Sequence, residues 1–136
     1  NKVILFSLPG AFTPTCSTYQ LPNFEKLFNE FKVLGFDKIY CLSVNDAFVM
    51  NAWAKSQNLK NIEVIPDGSA EFTRKMGMEC VWTSERGFGA RSWRYSMVVN
   101  DCKIEKLFEE KPRMMNSEAD PFEVSDSETM VKYLKG

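Results

Sequence analysis

The sequence contains no histidine. This absence excludes every mechanism within this chain that depends on a Cys-His pair, a Ser-His pair or a histidine-ligated metal. Also missing are a C-x-x-C motif and closely paired cysteines of the zinc-knuckle type, since the four cysteines are Cys16, Cys41, Cys80 and Cys102. We therefore expect no metal site, no bound cofactor and no dithiol motif. A domain of this size does not need disulfides, which favours a reducing, cytoplasmic location.

The chain also lacks an excess of charge of either sign and any long hydrophobic run. Its 17 Lys and Arg residues balance 18 Asp and Glu residues, which gives no electrostatic reason to expect a nucleic acid or an anionic membrane as partner. No apolar run approaches the roughly 20 residues of a membrane-spanning helix, and no leader-type segment is recognisable. What is present, 136 residues with 44% hydrophobic content, suits one globular domain over 1–136.

Strand and helix patterns alternate through the first part of the chain. Short apolar runs predict strands over 3–8, 38–44 and 62–65, the first apolar enough to be buried on both faces. Helical periodicity follows each run, from 15 to a stop at Gly35, from 46 onward, and over 70–76. Pro22 predicts a kink in the first helix, and Asp46 is an expected N-cap of the second.

The last third of the chain has a different pattern. Extended runs over 94–99 and 103–109 predict an antiparallel hairpin, and 125–134 predicts a final helix capped by Ser125 with Glu128 three residues later. The stretch 111–121 has the composition of a loop. The whole order predicts an α/β fold, a three-layer α/β/α sandwich with a mixed central sheet.

One cysteine lies where a thiol can be activated. Cys16 ends the string P-G-A-F-T-P-T-C at a strand-to-helix junction, where free backbone N–H groups and the helix dipole stabilise an anion. A thiol in such a position can ionise near neutral pH. Without histidine, the remaining activators are those N–H groups and an arginine. Taken alone, burial statistics favour a packed core cysteine at this position.

The string P-G-A-F-T-P-T-C-S, with its P-x-x-x-T-x-x-C spacing, resembles peroxiredoxins of the fifth, or type II, subfamily. The resemblance continues through S-V-N-D at 43–46, P-D-G at 66–68, G-F-G at 87–89 and R-S-W-R-Y-S at 91–96, and so covers nearly the whole chain. The tail from D-P-F at 120–122 is most similar to bacterial hybrid proteins that carry a glutaredoxin domain further on. The resemblance implies a thioredoxin-like fold and a thiol-dependent peroxidase acting on hydrogen peroxide and organic hydroperoxides.

The same resemblance assigns roles to individual residues. It implies that Cys16 is the peroxidatic cysteine, Thr13 hydrogen-bonds the attacked peroxide, Pro9 shields the site, and Arg94 holds the thiolate and the transition state. Arg91 is the second candidate for the arginine. Attack of sulfur on oxygen spreads negative charge along the S-O-O line, so fixed donors of this kind suit the reaction.

Two departures from the family pattern affect the expected chemistry. Gln20 stands where the family often has a histidine, on the same helical face as Cys16, and it can donate a hydrogen bond but cannot titrate. We therefore expect activity with an altered pH dependence. We also expect the N-terminal hairpin typical of the family to be absent from this domain.

The oxidised Cys16 must be reduced by another thiol. Cys41 occupies the position of a second cysteine in plant type II members, yet it equally fits a buried core residue, and both interpretations stay open. Cys80 and Cys102 look incidental, and no cysteine lies over 114–117, where animal members carry the resolving one. The resemblance to hybrid proteins favours glutathione with glutaredoxin as the reductant, with thioredoxin as the alternative.

Aromatic residues near the motif predict assembly. Phe12 and Phe48 follow neighbouring strands at the edge that carries Cys16, so we expect a homodimer packed through these loops, although both could instead line a monomer's pocket. Two other functions compete with the peroxidase: a thioredoxin-like disulfide oxidoreductase, which lacks its C-x-x-C, and a non-catalytic thioredoxin-like binding or redox-sensor module.

Overall fold

A five-stranded mixed sheet forms the centre of the fold. The computed structural model describes residues 2–82, 87–111, 113 and 120–136. Their strands are β1 (Lys2–Leu8), β2 (Lys38–Ser43), β3 (Glu63–Pro66), β4 (Glu79–Trp82), β5 (Gly89–Ser92), β6 (Tyr95–Asn100) and β7 (Lys103–Glu109). The sheet order is β3-β2-β1-β6-β7, with β1, β2 and β3 parallel and β6 and β7 antiparallel to their neighbours. The five strands expected from the sequence are confirmed.

The helices cover mainly one face of this sheet. They are α1 (Leu21–Lys26), α2 (Phe28–Val33), α3 (Ala47–Ser56), α4 (Glu71–Lys75) and α5 (Ser127–Lys135). Side chains from all but α4 join alternate residues of β1 and β2 in one buried cluster. Within it Phe6 stacks on Phe24, with ring centroids 4.2 Å apart. Burial of β1 on both faces explains its nearly continuous apolar run, which only Ser7 interrupts.

A smaller layer covers the opposite face. There Leu5 and Leu42 pack with a two-stranded sheet of β4 and β5, and Trp82 of β4 stacks on Trp93, which follows β5. β4 and β5 were not predicted from the sequence, because strands of four residues show no clear period-two pattern. β3 is equally short, but the turn at Pro66-Asp67-Gly68 marks where it ends. The thioredoxin-like α/β/α sandwich with a mixed sheet is confirmed as the fold class.

The first predicted helix is divided into three segments. A π-helical segment spans Cys16–Gln20 and closes with the Leu21 N–H donating to the carbonyl of Cys16, and α1 and α2 are then separated at Leu27. The departure from α-helical geometry thus lies in the turn before Pro22, which is the turn that a proline within a helix disturbs. Pro22 has no N–H to continue the regular ladder, and the wider turn ends where α1 begins.

The helix caps divide between a correct and a wrong prediction. Asp46 caps α3, its carboxylate accepting from the Val49 N–H at 2.8 Å. The final helix is capped by Asp126, which accepts from the Thr129 N–H at 3.0 Å, and not by Ser125. Ser125 donates its hydroxyl instead to the carboxylate of Glu110, at 2.7 Å. Ser125 lies one residue before the N-cap of α5, which is Asp126.

Candidate active site

Cys16 lies at the start of the π-helical segment, behind the loop that leaves β1. Its side chain is fully buried. The loop turns tightly into the segment, with the Ser17 N–H donating to the carbonyl of Thr13 at 2.9 Å. Short π-helical turns occur frequently at functional sites because they re-aim side chains within a helix. Here the turn presents the sulfur toward the beginning of β6.

Arg94, the residue before β6, is the arginine that contacts the sulfur. Its Nη1 lies 3.3 Å from the Sγ of Cys16 and 2.5 Å from the Oε1 of Gln20, while its Nη2 donates to Asp120 Oδ1 at 2.5 Å. The Nε has no partner among the described residues. Only 1% of Arg94 is exposed. Burial disfavours the charged guanidinium, but the charges of Cys16 and Asp120 outweigh burial and raise the pKa of Arg94.

Gln20 connects the guanidinium to the C-terminal part of the chain. It lies one helical turn after Cys16 and is fully buried. Its oxygen accepts from Arg94, and its Nε2 donates to the carbonyl of Ser125 at 3.4 Å. The residue therefore orients Arg94 at the sulfur, and its amide is used as an acceptor toward the guanidinium where the sequence suggested a donor.

Pro9 and Thr13 line an open cavity beside the buried sulfur. The cavity measures about 500 Å³ and is lined by Pro9, Thr13, Pro14, Thr15, Phe88 and Asp120. The hydroxyl of Thr13 donates to the carbonyl of Gly10 at 2.6 Å, which leaves its oxygen lone pairs free to accept. The structure thus places Pro9, Thr13, Cys16 and Arg94 around one region of the molecule, as the resemblance implied.

Arg91, the second candidate, supports the loop and does not serve the sulfur directly. Its Nη1 donates to the carbonyl of Pro9 at 3.3 Å, and its guanidinium lies 4.6 Å from the ring centroid of Phe88. A Cβ on Gly10 would come within 2.6 Å of this Nη1, so glycine permits the close approach. Burial lowers the pKa of Arg91. A third arginine that could be considered, Arg86, lies outside the described residues.

The other cysteines are free thiols in different surroundings. Cys41 is fully buried in β2 opposite Phe6, and burial, aided by the charge of Cys16, raises its pKa well above the usual range. Burial also raises the pKa of Cys80 to about 12. Cys102 is exposed at the β6–β7 turn. In the described residues no group of three or more acidic or cysteine side chains could hold a metal ion.

Phe12 and Phe48 lie at the same edge of the sheet because β1 and β2 are parallel neighbours. Their side chains are 56% and 87% exposed. The two loops are joined by a hydrogen bond of 3.0 Å from the Ala11 N–H to the Oδ1 of Asn45. The apolar surface therefore belongs to a connected loop pair beside Cys16.

The sequence analysis missed two acidic residues near the site. Asp120 was noted only as part of D-P-F, and an acidic residue in a loop carries no sign that it will pair with a distant arginine. Glu110 follows Glu109, the last residue of β7, and only the fold shows that Glu110 is buried while Glu109 is not. Asp120 pairs with Arg94, so its carboxylate belongs to the site.

Comparison with known proteins decides the family. The Redoxin family model matches residues 1–122 of the chain. A peroxiredoxin of Rhizobium etli is 62% identical over 135 residues, covering 99% of this chain and 75% of that protein. The hybrid peroxiredoxin hyPrx5 of Haemophilus influenzae is 55% identical over 135 residues, covering 98% of this chain and 54% of that protein. The chain belongs to the Redoxin family as a peroxiredoxin.

The structure agrees with this assignment. This peroxiredoxin is similar to reduced Prx3 of Vibrio vulnificus in complex with H₂O₂, with a TM-score of 0.88 and 41% identity over 98% of this chain and 78% of that chain. The resemblance to type II and hybrid members is thereby confirmed. The peroxiredoxin is a peroxidase, with a peroxide as substrate and a thiol as reductant. None of the described helices is long and apolar enough to cross a membrane.

Proposed function

We propose that this peroxiredoxin reduces hydrogen peroxide and organic hydroperoxides through the thiolate of Cys16, and that glutathione with glutaredoxin recycles the oxidised cysteine. The observation that carries the proposal is the contact of 3.3 Å between Arg94 Nη1 and Cys16 Sγ in a fully buried setting. A cation held against a sulfur in low dielectric favours the thiolate, which is the nucleophile.

In the proposed step the sulfur of Cys16 attacks the terminal oxygen of the hydroperoxide. An S–O bond forms and the O–O bond breaks, so the cysteine loses two electrons and becomes a sulfenic acid. The leaving oxygen takes up a proton and departs as water or an alcohol. Negative charge spreads along the S-O-O line during the step, so donors fixed around that line lower the barrier.

The residues around the sulfur suit these tasks. Arg94 has its Nη1 on the sulfur and an Nε without a partner among the described residues, which leaves one donor for a bound peroxide. Thr13 can accept a hydrogen bond from the O–H of the peroxide, because its own hydroxyl proton is directed at the carbonyl of Gly10. Pro9 is buried, and its ring excludes water from one side of the site.

Recycling by an external thiol is supported by the state of Cys41. Thiol attack on a sulfenic acid needs a thiolate, and burial keeps Cys41 protonated at neutral pH. Cys80 has the same disadvantage. Glutathione with glutaredoxin is preferred over thioredoxin because of the similarity to a hybrid peroxiredoxin. No bound cofactor takes part in the proposed reaction.

We also propose a homodimer interface at the loop that carries Phe12 and the first turn of α3, which carries Phe48. Two aromatic side chains that are 56% and 87% exposed on one edge form the kind of patch that partners cover. A second copy seated there would lie beside the cavity next to Cys16.

The experiment is peroxide turnover of Cys16→Ser, with Cys102→Ser as the matched control. In an assay coupled to glutathione, glutaredoxin and NADPH, Cys16→Ser is expected to lose at least about 10³-fold in turnover, because a hydroxyl is a far weaker nucleophile. Cys102→Ser should match the wild type. Turnover retained by Cys16→Ser would contradict the assignment. Turnover with thioredoxin but not with glutathione and glutaredoxin would show that thioredoxin is the reductant. Oxidation of Cys16 without turnover on either reductant would identify a redox sensor.

A further inference from the structure

Glu110 is a buried carboxylate that holds a distant segment of the chain. It follows β7 and is 1% exposed. Its Oε1 accepts from the Glu123 N–H at 2.8 Å, and its Oε2 accepts from the N–H groups of Val124 and Ser125, both at 2.8 Å. The Ser125 hydroxyl donates the fourth hydrogen bond to the carboxylate, also to Oε2, at 2.7 Å. Four donors converge on an acceptor-only group, so the segment 123–125 is fixed by this one side chain.

The backbone of Glu110 is hydrogen-bonded to the two residues that precede β6. Its N–H donates to the carbonyl of Arg94 at 3.2 Å, and its carbonyl accepts from the indole N–H of Trp93 at 2.6 Å. Glu110 therefore links the main chain of Arg94 to the segment 123–125.

The segment held by Glu110 and the residues just before it contact the guanidinium of Arg94 and its partner Gln20. Asp120 accepts from Arg94 Nη2, and the ring centroid of Phe122 lies 5.7 Å from the Cζ of Arg94. The Ser125 carbonyl accepts from the amide of Gln20, whose oxygen accepts from Arg94. Asp120 and Phe122, which precede the segment, and Ser125, its last residue, thus act on the arginine or on its partner Gln20.

We propose that Glu110 is a positioning residue for the peroxidase site. By fixing 123–125, its carboxylate holds Asp120, Phe122 and the Ser125 carbonyl where they direct the guanidinium of Arg94 onto the sulfur of Cys16. The inference rests on the proposed function, because it concerns the reactivity of Cys16 with peroxide. Glu110 touches neither the sulfur nor the cavity beside it, so its effect passes through Arg94 and Gln20.

The test is Glu110→Gln, with Glu109→Gln as the matched control. Glutamine keeps the shape of the side chain but presents an NH₂ group to backbone N–H donors. At least one of the four hydrogen bonds between residue 110 and the segment 123–125 is therefore lost. Glu109 precedes Glu110 and forms a part-exposed ion pair with Arg113, 3.5 Å apart. The rate of Cys16 oxidation by H₂O₂ is measured against pH by stopped-flow fluorescence and mass spectrometry, with the melting temperature recorded separately.

We expect Glu110→Gln to slow Cys16 oxidation at neutral pH about tenfold or more and to move the midpoint of the pH profile upward by about half a unit or more. Glu109→Gln should match the wild type. Among the described residues, the charged or titratable groups that act on the sulfur are Arg94 with its partner Asp120, Arg91 and Cys41. Neither substitution replaces any of these residues. The midpoint therefore reports how Arg94 is placed.

Each other result is decisive. A lower melting temperature with an unchanged rate and midpoint would show a purely structural role and overturn the inference. A downward shift would mean that the carboxylate acts only by its charge, and would also overturn it. If Glu110→Gln does not fold, Ser125→Ala removes only the hydroxyl that donates to Glu110. The midpoint of its pH profile must then shift upward. If the wild-type Cys16 fails to react with peroxide, the proposed function fails and not this inference alone.

Discussion

The guanidinium of Arg94 lies 3.3 Å from the sulfur of Cys16, although 78 positions separate the two residues in the chain. The sheet creates this proximity. Arg94 precedes β6, which runs antiparallel to β1, so the beginning of β6 lies beside the end of β1, where the loop toward Cys16 leaves the sheet. The arginine is held by Gln20 and Asp120 as well as by the sulfur. Its geometry, and not only its charge, should therefore matter.

Replacement of Arg94 by lysine should slow peroxide reduction by at least about a hundredfold, although the charge is kept. A lysine ammonium cannot replace a planar fork that contacts the sulfur, Gln20 and Asp120 together. Arg91→Lys should cost less than about tenfold, because Arg91 contacts the carbonyl of Pro9 and not the sulfur. Second-order rate constants with H₂O₂ measure both effects. A crippled Arg91→Lys beside an active Arg94→Lys would show that the catalytic arginine is Arg91.

Cys41→Ala should keep peroxidase turnover with glutathione and glutaredoxin within about twofold of the wild type. The thiol is fully buried, and its pKa is raised, so it is a poor nucleophile toward the oxidised Cys16. The coupled NADPH assay measures turnover, and the melting temperature accounts for the small cavity left in the core. Loss of turnover with an unchanged rate of Cys16 oxidation would show that Cys41 resolves the sulfenic acid.

The sequence predicted the sheet well because its strands carry strong local signals. The apolar run of β1 and the hairpin of β6 and β7 each lie in one stretch of sequence. The segmentation of the first helix was less accessible. Pro22 predicts a departure from regular helix geometry. Whether that departure is a kink or a π-helical turn depends on how Cys16 and Gln20 pack.

The site was predictable only where residues lie close in sequence or match a family motif. Thr13 and Cys16 belong to one short string, and Arg94 belongs to a second one. Glu110 and Asp120 reach the site through tertiary contacts with residues in other parts of the chain. No local pattern distinguishes them from solvent-exposed carboxylates, because burial is decided by the packing of β7 and the segment after it.

Glu25→Gln should lower the melting temperature at pH 7, and the difference should shrink as the pH falls below about 4.5, the usual pKa of a glutamate. Partial burial opposes ionisation of this carboxylate, but backbone N–H groups of Lys60, Asn61 and Ile62 outweigh burial and lower its pKa. A pKa lowered on folding adds stability above the unfolded value, and that stability is lost as the pH falls through the folded value. Thermal unfolding from pH 3 to 8 checks this, with exposed Glu30→Gln as control. A pH-independent difference would contradict the argument.

The homodimer proposed at the loops beside Cys16 should dissociate when Phe48 becomes arginine. Phe48 is 87% exposed on α3, and a charge at the centre of an apolar contact would have to be desolvated without a partner. Val33→Arg is the matched control, because Val33 is also 87% exposed but lies on α2. Sedimentation velocity at micromolar concentration should show a dimer for the wild type and for Val33→Arg, and a shift toward monomer for Phe48→Arg. If Phe48→Arg stays dimeric, the interface lies elsewhere, and a monomeric wild type would mean that Phe12 and Phe48 line the surroundings of a one-chain active site.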